Sequence, residues 1–147
     1  EVGMTGANDP DCRQCMVWEK EKQDSSLFSI YQKLIHLRKQ EKCIKNGGFA
    51  VNVCEGRVYG YVRYDDKNEL YIILNAGKES RIVNVPVLDK KQYVDVATKQ
   101  EYKVEDGDKG SWLNSDMWHY EGMVEISLEP YSAKILKGRP AKKDSAR

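Results

Sequence analysis

The sequence predicts a mainly β protein: an antiparallel Greek-key β-sandwich preceded by a loop and one helix. Three observations predict it. Hydrophobic period changes from helical to alternating near Phe49. Seven short runs rich in β-branched and aromatic residues then follow, "FAVNVC", "RVYGYVRYD", "ELYIILNAG", "RIVNVPV", "QYVDVAT", "EYKVED" and "MVEISLEPYSAKIL". Turn signals part them, with no helical segment between, so seven or eight strands must pair antiparallel and close their edges as a sandwich.

The elements can be justified in order. Residues 1–23 read as an irregular loop, broken by Gly3, Gly6, Asn8 and Pro10 and followed by the polar "WEKEKQ". In "DSSLFSIYQKLIHLRKQ", Leu27, Ile30, Tyr31, Leu34, Ile35 and Leu37 fall on one helical face. Asp24 or Ser25 is suited to the N-cap, because its side-chain oxygen can accept an orphan backbone N–H. Arg38 and Lys39 suit the last turn, where cations favour the helix dipole, and Gly47-Gly48 stops the pattern. Beyond it, Glu55-Gly56, Asp65 to Asn68, Ala76-Gly77, Asp89-Lys90 and Asp106-Gly107 mark turns. "LYIIL" is apolar on both faces and suits a central strand. The tail "GRPAKKDSAR" is polar and aperiodic and is expected to fray. The domain reading is therefore 1–47, 48–137 for the sandwich, and a flexible tail at 138–147.

Composition narrows the function classes. The 147 residues suit one domain or one domain with an appended element. With 24 basic against 23 acidic residues and a net charge of +1, nothing points to nucleic acid or an anionic membrane as partner. No apolar run approaches the roughly 20 residues that span a bilayer. The first residue is Glu1 rather than Met, so a missing signal peptide says little, and a cytoplasmic location is the expectation. Cys12 and Cys15 form a C-x-x-C, but Cys43 and Cys54 supply no second knuckle, and only His36 and His119 could assist. Free thiols in a reducing compartment are the preferred reading, with no metal and no cofactor.

The stretch "NDPDCRQCMVW" holds the remaining polar candidates. A carboxylate and a guanidinium there can accept and donate hydrogen bonds to sugar hydroxyls. From the residues alone the local reading is preferred: Asp9 caps the turn at Pro10 and pairs with Arg13, because Asx-turns are common. Trp112, Trp118 and Tyr120, in the long stretch 106–120, are candidates for stacking on pyranose rings, although such aromatics more often plug a loop from beneath. No Ser-His-Asp set and no acid/base carboxylate pair is legible, so no catalytic residue is assigned.

"EVGMTGANDPDCRQCMVWE", the helix "LFSIYQKLIHLRKQ", "LYIILNAG" and the closing "VEISLEPYSAKIL" together resemble the C-terminal part of the α-amylase family. The subgroup is that of neopullulanases, cyclomaltodextrinases and maltogenic amylases. Glu1-Val2-Gly3 looks like the last three positions of the family's Gly-Asp-Glu-x-Gly phrase. The subgroup's Asp-Pro-Asp-Cys-Arg and Met-x-Trp are matched at Asp9 to Arg13 and Met16 to Trp18. The match is specific over the first thirty-eight residues and looser over the sandwich. It departs at Cys15, where the family often has proline, and in 106–120, which is longer and more aromatic than usual.

The resemblance implies that 1–47 is the end of a (β/α)8 barrel and that the catalytic carboxylates lie upstream of Glu1. The chain alone would then be noncatalytic, with its sandwich stabilising the barrel of an enzyme that cleaves α-1,4-glucosidic bonds in maltodextrin, cyclodextrin or pullulan. Loops after barrel strands face the active-site end, so Asp9 and Arg13 would contact an α-glucan in the intact enzyme, the only context in which that partner is expected. The apolar face of helix 25–39 would pack on the barrel, or self-associate without it. The alternative function is an independent carbohydrate-binding sandwich that uses Trp112 or Trp118.

Overall fold

The computed structural model describes residues 1–88, 92–106 and 120–139. The chain divides into two compact units, Glu1–Lys45 and Asn46–Arg147.

In the first unit, the extended start is tied to the helix that follows. Asp24 N–H donates to the Val2 carbonyl at 3.0 Å, and Gln23 Nε2 donates to the Val17 carbonyl at 2.7 Å. Gly3 has φ +75°, and a Cβ there would come within 2.7 Å of Asp24 Cβ, so both conformation and space require glycine. Helix α1, Ser25–Gln40, begins where capping chemistry placed it: Asp24 Oδ1 accepts from Leu27 N–H at 2.9 Å. Arg38 and Lys39 occupy its last turn. Two elements were not anticipated, a single 3₁₀ turn at Lys20–Lys22 and the short helix α2, Lys42–Asn46. Each is too short to show a hydrophobic period.

Among the described residues, the second unit carries eight strands: β1 Gly48–Glu55, β2 Val58–Tyr64, β3 Glu69–Asn75, β4 Arg81–Val87, β5 Gln92–Asp95, β6 Glu101–Tyr102, β7 Gly122–Leu128 and β8 Ser132–Arg139. All pairings are antiparallel. The larger sheet runs β1-β2-β3-β8-β5-β6 and the smaller pairs β4 with β7. The chain leaves the large sheet after β3, returns for β5 and β6, crosses again for β7, and inserts β8 between β3 and β5. This is the expected sandwich with crossing connections.

Turn chemistry fixes the registers. Gly56, at φ +57°, opens the tight β1–β2 connection. Asp65 Oδ1 accepts from Lys67 and Asn68 N–H at 2.9 and 2.8 Å in the β2–β3 turn. Asp95 Oδ1 does the same for Ala97 and Thr98, which ends β5 earlier than the run "QYVDVAT" suggests. "MVEISLEPYSAKIL" breaks at Glu129 to Tyr131 into two strands on different sheets. Asn75 holds that corner: its Nδ2 donates to the carbonyls of Glu79 and Glu129 at 2.8 and 2.9 Å. β8 continues through Gly138 to Arg139, opposite Tyr93 and Gln92, so pairing claims the first two residues expected to fray; 140–147 lie outside the described residues.

The core lies between the sheets and is dominated by valine. Val58, Val62, Tyr71, Ile73, Tyr93 and Leu136 of the large sheet share it with Val83, Val85, Val87, Val124, Ile126 and Leu128 of the small one. As its doubly apolar pattern required, β3 is central, with Leu70 buried on one face and Tyr71 and Ile73 on the other. In β1 the register shifts between Val51 and Val53. Gly60 makes room opposite, since a Cβ there would lie 3.0 Å from both Val53 Cβ and Asn52 Oδ1. Asn52 Nδ2 then reaches the Pro86 carbonyl at 3.1 Å and ties the two sheets together.

Candidate functional site

The candidate loop is built from turns. Asp11 N–H donates to the Asn8 carbonyl and Arg13 N–H to the Pro10 carbonyl, each at 2.9 Å, which winds the chain tightly around Pro10. Gly6 lies against this coil: a Cβ there would meet the Asp11 carbonyl oxygen at 2.9 Å. The winding brings Arg13 Nη2 to 2.5 Å from Asp9 Oδ2. Both side chains remain mostly in solvent, at 75% and 59% exposed. Such an exposed pair contributes about 0–1 kcal/mol to stability. Each partner uses one hydrogen-bonding position on the other and keeps further donors or acceptors free to turn outward. Cys12 and Cys15 flank Arg13 as exposed free thiols.

Among the described residues, no three His, Cys, Asp or Glu side chains gather to hold a metal ion. Several acidic groups have structural tasks instead. Asp24 caps α1, and the Leu27 N–H, helped by the Ser26 hydroxyl, holds its carboxyl below the usual aspartate value. Asp65 and Asp95 shape turns. Glu69 is buried in the sandwich, where its carboxyl accepts from the Tyr93 hydroxyl and from the Tyr71 hydroxyl at 3.1 Å. Tyr71 in turn accepts from Leu88 N–H at 2.7 Å, and burial pushes its own ionisation far upward. The two tyrosine rings meet edge to face at 5.4 Å. Gly138 opposite leaves space for this cluster, since a Cβ would stand 3.0 Å from Glu69 Oε1.

Of the three aromatic candidates in the long stretch, Trp112 and Trp118 lie outside the described residues. Tyr120 is half-buried just before β7, and burial raises the pKa of its hydroxyl. A different aromatic group is not marked by the sequence pattern alone. Phe49, Tyr61 and Tyr59 stand side by side on the outer face of β1 and β2, with ring centroids 5.3 and 6.1 Å apart. Alternation in "VYGYVRY" does place Tyr59 and Tyr61 on one face. Only the pairing with β1 brings Phe49 to them.

No family model matches the chain. Similar proteins do. A cyclomaltodextrinase of Thermoanaerobacter pseudethanolicus is 36% identical over 103 residues, covering 70% of this chain and 18% of that protein. Neopullulanase 2 of Thermoactinomyces vulgaris is 30% identical over 140 residues, and an intracellular maltogenic amylase of Bacillus subtilis 34% identical over 138; each match takes in 92% of this chain and 21% of the relative. The chain is homologous to the C-terminal part of α-amylase-family enzymes. It spans about a fifth of the length of these relatives. Solved structures agree on the fold. A cyclomaltodextrinase superposes with a TM-score of 0.75 at 23% identity, over 94% of this chain and 22% of that one. An α-amylase from Geobacillus thermoleovorans gives 0.73 at 18% identity, over 95% and 28%. The β-sandwich thus shares the fold of the matched part of these solved structures.

Proposed function

We propose that the chain is a noncatalytic part of an α-glucan-degrading glycoside hydrolase, and that its sandwich stabilises the catalytic barrel. The observation that carries this reading is the pair of matches that take in nearly all of this chain but only a fifth of each relative. A retaining glycosidase needs two carboxyl groups about 5–5.5 Å apart. The engagement of Asp24, Asp65, Asp95 and Glu69 in caps, turns and the sandwich interior supports placing that pair elsewhere in the enzyme. Purified chain incubated with maltodextrin, cyclodextrin or pullulan is expected to release no reducing ends. Turnover by the chain alone would overturn the proposal.

Within the intact enzyme, Asp9 and Arg13 are proposed to hold glucan hydroxyls. Their exposure and mutual alignment support this, because a preset ion pair presents an acceptor and a donor together. Asp9→Ala or Arg13→Ala in the longer enzyme should raise KM for maltooligosaccharides several-fold with little change in kcat. An unchanged KM would return the pair to a purely local role. For the chain by itself, the apolar side chains exposed on α1 support self-association through residues 25–39. Light scattering would test it, and a monomer at all concentrations would dismiss it. A cytoplasmic location is also proposed, supported by the relative named as an intracellular maltogenic amylase. Among the described residues no helix is long and apolar enough to cross a membrane.

A further inference from the structure

We draw no further inference here: the strongest candidate, the aromatic stripe of Phe49, Tyr61 and Tyr59 on the outer face of the large sheet, is an unpartnered apolar face, and nothing in the structure shows what covers it.

Discussion

Glu1–Lys45 and Asn46–Arg147 make opposite use of their apolar residues. The second unit encloses them: Tyr71, Tyr93, Ile73, Ile126, Leu128 and Leu136 are each under 2% exposed. The first buries Val2 and Cys43 but displays the apolar side chains of its long helix. α1 buries no residue, and Ile30, Tyr31, Leu34 and Ile35 are each about half exposed. An isolated helix of this length is marginal in water, because most helical stability comes from packing an apolar face. Regular secondary structure is therefore common to both units, but only the sandwich holds a core of its own. On the proposed reading, the helix face belongs against a barrel.

That contrast can be broken by mutation. The largest effect is expected at Leu128, fully buried between the sheets. Leu128→Ala should cost about 2–5 kcal/mol, read as a lower urea midpoint. Asn75→Ala, which removes a donor from the Glu79 and Glu129 carbonyls and the acceptor of Gly77 N–H, should cost about 2–3 kcal/mol. Tyr93→Phe removes one donor from the buried Glu69 carboxyl and should cost about 2 kcal/mol by the same measurement. Leu34→Ala on α1 should fall within about 0.5 kcal/mol of the parent, as surface changes do. A Leu34 loss as large as that at Leu128 would erase the distinction between the units.

The smallest effect concerns pH. Asp24 has its carboxyl pKa lowered in the folded chain by the Leu27 N–H, from an ordinary value of 3.8. The unfolded chain binds this proton more readily, so the cap contributes fully above the unfolded value and is lost as pH falls through the lower folded one. Far-UV helical signal should therefore decline on acidification below about pH 4. In Asp24→Asn, which can still accept the N–H without titrating, that part of the decline should vanish.

Much of this was legible in the sequence, for local reasons. Asp24 followed by a 3.6-residue apolar period defines α1, and period-two runs between turn residues define the strands. "LYIIL" reads as central because both its faces are apolar. What escaped depends on partners distant in the chain. Glu69 looks like a solvated strand end, and its burial is met by the Tyr71 hydroxyl and by the approach of Tyr93 and Gly138 from other strands. Asn52 and Gly60 acquire meaning only once β1 and β2 are in register around a bulge. At the candidate loop, the Asp9–Arg13 pair was legible from spacing. Its role was not, because a local salt bridge and a sugar grip use the same two groups. The resemblance supplied that reading, and it concerns the longer enzyme.

Amide hydrogen exchange across the 147-residue chain tests the central contrast most directly. The expected result is that amides of β3, β7 and β8 exchange only through global unfolding, whereas those of α1 exchange orders of magnitude faster through local opening. Protection of α1 equal to that of β3 would contradict it, showing that the first unit is stabilised within this chain and needs no barrel.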